Sequence, residues 1–206
     1  MLEQLGWFLP AFFKGLAVNF QLSLLALVGG LSLGLPLAFA RLGSGWLARF
    51  CELLATVLRS APIFVVMFFL LNVMPSNFSM ASLPVTMTPW LAIVLALTIY
   101  LTAFVSDSGL DALRQLRAGS RVAAFLFFMN VVRGFFSTVL SSGFGAAVGV
   151  VEFVSVTLRA IESMPLVNDR LMLIGVVILL LMACFRLIYL MINLLGNQVT
   201  RRYAKT

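Results

Sequence analysis

Long stretches without a charged side chain constrain this chain more than any other feature. The stretch from about Val18 to Ala40 has none and closes at Arg41. A helix needs about 20 apolar residues to cross a hydrocarbon core about 30 Å thick, so this run predicts a span. It is too long for a signal-peptide core and shows no small-residue cleavage pattern, so it is expected to be retained. Four further runs follow. They extend from about Cys51 to Met74 (interrupted by Glu52, Arg59 and Pro62), from Pro89 to Ser106, from Val122 to Leu158 (with Arg133 and several glycines inside), and from Leu171 to Leu195 (carrying Arg186).

Composition agrees. Of 206 residues, 62% are apolar and only 10% charged, whereas a soluble domain carries about 25% charged residues. The expected fold class is an all-α membrane protein with about five transmembrane helices, residues 1–206 forming a single transmembrane domain. Histidine is absent, and Cys51 and Cys184 lie far apart, so the chain offers no metal spacing and no disulfide framework. No nucleophile motif or phosphate-cradling glycine loop is present. The expectation is therefore a protein that is not an enzyme, with no catalytic residues, no cofactor and no metal.

The net charge of +7 arises from 14 Lys+Arg against 7 Asp+Glu, and in so apolar a chain it reads as a topology signal rather than a nucleic-acid footprint. Cations follow the first run (Arg41, Arg49), the third (Arg114, Arg117, Arg121) and the last (Arg201, Arg202, Lys205). Placing them in the cytoplasm puts the N-terminus outside and the C-terminus inside. That parity requires Val122–Leu158 to cross once. The expected crossing is Gly143 to Leu158, preceded by a helical or re-entrant cytoplasmic piece, with one long tilted helix as the alternative. Between the third and fourth runs, Asp107 to Arg121 reads as an amphipathic cytoplasmic helix, with Leu110, Leu113 and Leu116 three residues apart. It is either a solvated face or a docking surface.

Ionisable groups at membrane depth are functional candidates. Glu152 and Arg186 each lie about nine residues, or about 14 Å, from the inner end of their predicted helices, which predicts an intramembrane ion pair or a place on a substrate pathway. Arg59 and Arg133 are expected to snorkel to the inner headgroups. Asp107 is expected to cap its helix or pair with Arg114. Gly30/Gly34 and Gly145/Gly149 have the small-xxx-small spacing that brings helix backbones close.

Several segments carry a family resemblance. Gly15 to Arg41 (GLAVNFQLSLLALVGGLSLGLPLAFAR) resembles the first span of polar amino-acid ABC importer permeases, with Asn19 at the usual Thr position. Leu58 to Pro75 resembles the family's Arg-Gly-Thr-Pro segment, with Arg59 and Pro62 matching. Ile99 to Leu113 is similar to the Ala-Tyr-x-x-Glu block, with Asp107 in place of Glu. The same count continues into the cytoplasmic Gly-Gln-x-Glu-Ala-Ala motif, where Gly119, Ala123 and Ala124 match, Val122 replaces Glu, and Phe128 stands where a Gly is usual. Gly149 and Glu152 match the stretch opening the fourth span, and Phe185 to Ala204 resembles the last span.

The resemblance implies a permease-like transmembrane subunit of an ATP-driven importer for a polar amino acid or similar small solute, in the bacterial inner membrane. It implies a second permease-like chain or homodimer, cytoplasmic ATPase subunits and a periplasmic solute-binding protein as partners, besides membrane lipid and without nucleic acid. Arg59, Pro62 and Asp107 would lie near the partner interface. Gly119, Val122, Ala123, Ala124 and Phe128 would form a degenerate coupling region, for Phe125 to Leu140 is short, apolar and free of proline. The alternative is a permease-derived structural or regulatory subunit that has lost direct ATPase coupling.

Overall fold

In a computed structural model, the backbone is described for residues 2–74, 77–80 and 83–203. The apolar runs fold as helices: α1 (Leu2–Arg41), α2 (Trp46–Ser60), α3 (Ile63–Val73), α4 (Pro89–Arg117), α5 (Ala123–Ser141), α6 (Phe153–Glu162) and α7 (Val167–Tyr203). Between α3 and α4, β1 (Asn77–Met80) and β2 (Leu83–Thr86) form an antiparallel hairpin with Asn77 opposite Thr86. This hairpin is the departure from the all-helical expectation.

Four described helices are long and apolar enough to cross a membrane, and a bent pair, α2 with α3, brings the count to five if it forms one span. The helix ends follow local chemistry. Thr88 accepts the Leu91 N–H at 3.2 Å and Pro89 opens α4, so orphan donors are few there. At the other end Gly119 takes a φ of +86°, and Ser120 donates back to the Gln115 carbonyl at 3.0 Å, closing the helix as a Schellman motif.

The packing centre is the α1–α4 contact. Gly30 and Gly34 let α4 come so close that an added Cβ would lie 2.5 Å from Leu101 Cβ and 2.8 Å from the Thr102 carbonyl oxygen, respectively. Leu22 and Ala26 of α1, Ala96, Leu97 and Leu101 of α4, and Met67 and Leu70 of α3 make one buried cluster. A second cluster joins Phe8, Phe12 and Leu16 to Val139, Phe153, Ala160, Leu173 and Val177. The expected small-residue face of the first span is thus formed. Of the second glycine pair, Gly145 packs under Ile93, while Gly149 has φ +89° and turns the chain.

Three boundary expectations need correction. The second run is not one helix: α2 and α3 meet at 91° across Ala61 and Pro62, because Pro62 holds an extended conformation that no continuing helix accommodates. The polar stretch from Asp107 is helical as expected, but it is the continuation of α4 and ends at Arg117 rather than Arg121. The fourth crossing is not Gly143 to Leu158. The segment there that is long and apolar enough to cross is α5 with the 3-10 turn Ser142–Val148, and the chain breaks at Gly149 before α6 begins. The long-tilted-helix alternative fails at the same glycine.

Candidate functional site

The buried polar groups gather in two places. One lies in the break between the 3-10 turn and α6, opposite the N-terminal half of α1. Glu152 is fully buried (0% exposed) and caps α6. Its Oε1 accepts the Ser155 N–H at 2.9 Å and its Oε2 the Val154 N–H at 2.9 Å, while its own N–H donates to Ser155 Oγ at 2.9 Å. A carboxylate at a helix N-terminus answers both the orphan donors and the positive end of the dipole.

Asn19 of α1, also 0% exposed, completes the cluster. Its Nδ2 donates to Ser142 Oγ at 2.7 Å and to Glu152 Oε2 at 3.1 Å, and its Oδ1 accepts the Phe153 N–H at 3.2 Å. One side chain thereby ties α1 to both sides of the break. One turn further along α1, the Ser23 hydroxyl is buried with no hydrogen-bond partner among the described residues. Gly15 admits the approach of the break, because a Cβ there would fall 2.7 Å from the Phe153 nitrogen.

The expected Glu152–Arg186 ion pair is not formed. Phe185 takes the inward position on α7, edge-on to Phe136 with centroids 6.0 Å apart. Arg186, the next residue, is turned outward and lines an open groove with Leu179, Met182 and Tyr189. Glu152 sits higher than expected, since Asn19 is about 33 Å along α1 from Arg41. The physical reason is that the long apolar helical stretch ends at Val148 and the chain turns at Gly149, which leaves Glu152 after that stretch rather than within it.

The second polar centre lies at the other end of the bundle. Arg41, whose side chain is only 4% exposed, pairs with Glu52 at 2.7 Å and Asp107 at 2.8 Å, and donates to Ser106 Oγ at 2.8 Å. Arg59 reaches Asp107 at 3.3 Å. Asp107 therefore neither caps α4 nor pairs with Arg114; it receives two arginines in mid-helix. Arg59 is held by that carboxylate and remains half-exposed, and Pro62 forms the bend before α3. Neither Asn19 nor the Arg41 hub is evident from the charge pattern. The available signal for Asn19 is a lone amide in an apolar run, and for Arg41 it is the acid eleven residues on.

The residues expected to form a degenerate coupling region make no projecting helix. Gly119 is the helix-ending turn, Val122 the residue before α5, and Ala123 is buried. Ala124 and Phe128 line apolar grooves that α5 forms against α1 and α4.

These features, a bundle of long apolar helices with a broken second span and a capped break after the fourth, define the class as a permease-like multi-span membrane fold. The chain is similar over 91% of its length, and 94% of the other chain, to a solved structure described as an amino acid ABC transporter with histidines, with a TM-score of 0.64 at 15% identity. In sequence it is 29% identical over 116 residues to the glutamine transport system permease protein GlnP of Escherichia coli K12, covering 56% of this chain and 51% of that protein. GlnP of Shigella flexneri matches to the same extent. The chain thus spans about half the length of the curated relatives it matches. No family model matches it. The sequence comparison bears out the resemblance to polar amino-acid ABC permeases, and the structural comparison bears out the fold.

Proposed function

We propose that this chain is a transmembrane subunit of an ATP-driven importer for a polar amino acid or a related small solute, in a bacterial inner membrane. The observation that carries the reading is the permease fold, shared over nine-tenths of the chain with an amino acid ABC transporter. On this reading a second permease-like chain, or another copy, supplies the other half of the pathway, cytoplasmic ATPases supply the work, and a periplasmic binding protein delivers the solute. Alternating access then arises from the rocking of paired permeases. The buried Asn19–Glu152 cluster holds the break rigid beside that path, and Ser23 offers a hydroxyl still unspent.

A second reading is favoured by one connection. Only Ala118 to Val122 separate α4 from α5, and α5 enters directly into a candidate span. A coupling helix must present a partly polar knob to an ATPase groove, and no such helix stands here. On this reading the chain is a structural or regulatory permease relative whose ATPase contact belongs to another subunit.

Purification of the membrane complex with a cysteine at position 122 distinguishes the two. Crosslinking of that cysteine to an ATPase, together with retained or stronger ATPase recovery in Val122→Glu, is the outcome expected of a coupled importer subunit. An ATPase that crosslinks only through another chain, or a complex without one, establishes the second reading.

A further inference from the structure

We propose that α2 lies flat at the lipid–water boundary at the Arg41 end of the bundle, with its apolar arc in the bilayer and Arg49 facing anionic phospholipid headgroups. This rests on the membrane-spanning fold and not on any transport role.

The helix has three faces. Trp46, Leu47, Phe50, Leu53, Leu54 and Val57 are all exposed, Trp46 at 79%, and at 3.6 residues per turn they fall within one arc of about 120°. The adjoining arc, Cys51, Ala55 and Leu58, packs on Leu37 and Ala40 of α1. The remaining arc is polar and carries Arg49, Glu52, Thr56, Arg59 and Ser60. An apolar arc beside a charged one marks a helix lying in an interface, whereas a helix surrounded by hydrocarbon is apolar all round.

Depth follows from what α2 and α3 touch. Glu52 and Arg59 are tied to Arg41 and Asp107, so α2 sits at the foot of α1 and beside the lower part of α4. Met67 and Leu70 of α3 already share a cluster with Met87 and Ile93 at the head of α4. The stretch from Pro62 onward therefore runs up the bundle beside α4 without α2, which leaves at 91°. A helix perpendicular to one that runs along a candidate span, at one end of the bundle, lies along the membrane plane. Lipid is the occupant its chemistry fits. The helices it is strapped to are bilayer spans, and Arg49 is exposed with no ion pair among the described residues, the condition in which a cation attracts anionic headgroups.

Depth-dependent fluorescence quenching tests this on the full chain in vesicles of phosphatidylcholine and phosphatidylglycerol brominated at defined acyl positions. One protein keeps Trp46 alone (Trp7→Phe, Trp90→Phe); the other carries Trp46→Phe and Val57→Trp on the same background. Both tryptophans are expected at one shallow depth. A crossing α2 would separate them by about 16 Å, and that result overturns the proposal. So does the absence of lipid quenching for both, which would mean that protein or water covers the arc. Bromine carried by phosphatidylglycerol is expected to quench Trp46 more than bromine carried by phosphatidylcholine, and Arg49→Gln to abolish the difference; equal quenching in the parent protein removes Arg49 from the assignment.

Discussion

Asn19 serves three groups at once: the Ser142 hydroxyl, the Glu152 carboxylate and the Phe153 amide. All are buried, so removing the amide leaves each short of a partner with no water to replace it. Asn19→Ala is expected to destabilise the protein by about 2–3 kcal/mol, the cost of orphaning buried polar groups. Asn19→Asp keeps the shape but sets a second carboxyl against Glu152 and forfeits the donor, so it is expected to be at least as damaging. Thermal midpoints of the detergent-purified chain check both, and a midpoint unchanged in Asn19→Ala would remove the cluster from the account of stability. Glu152 illustrates why residue type alone misleads. An acid in an apolar stretch suggests a charged partner, yet three backbone and side-chain donors satisfy it here without any cation.

Among the helices, the contact that organises the rest is α1 against α4. Gly30 and Gly34 set its spacing, for a methyl group on either meets Leu101 or the Thr102 carbonyl rather than open space. Gly34→Ala should therefore push the helices apart at a cost of about 1–3 kcal/mol, as overpacking does. Gly175 lies in the same kind of apolar helix, and a methyl group added there would meet nothing within 4 Å. It is the matched control, and Gly175→Ala is expected to leave the midpoint within a degree or so of the parent. Comparable losses for both variants would remove the close α1–α4 approach from the explanation, because helix propensity alone favours Ala over Gly. The bend between α2 and α3 belongs to this scale too. It comes from Pro62, and the Arg41 hub then fixes where the bent-off helix lies.

For the molecule as a whole, cations are in excess at one end, with Arg41 and Arg59 in the hub and Arg114 and Arg117 in the last turn of α4, while Lys14 and Arg159 lie at the other. Counting the α2–α3 segment as one crossing, which brings the total to five, this asymmetry predicts an N-terminus outside and a C-terminus in the cytoplasm. A reporter fused at the C-terminal end is accordingly expected to be active only in its cytoplasmic form. Periplasmic activity would reverse the orientation or require an even number of crossings from an outside start. The orientation also bears on the coupling question, because the Ala118–Val122 connection would then face the side where an ATPase docks.

Glycine spacing marked the small-residue face of the first span and the family resemblance supplied the order of segments; length and oiliness by themselves were sufficient to establish a membrane bundle of long helices. Those properties are additive along the chain: each residue contributes its transfer energy wherever the helix packs. What the chain folds around was decided only in three dimensions. Whether Glu152 meets Arg186 or Asn19, whether Asp107 takes Arg114 or Arg41, and where the fourth crossing ends all depend on helix rotation and on a single backbone turn at Gly149. Apolar periodicity is nearly silent on rotation when a helix is greasy on every side, because no polar face marks the outside. Directional hydrogen bonds in a dry interior then choose the register, and they join residues more than a hundred positions apart.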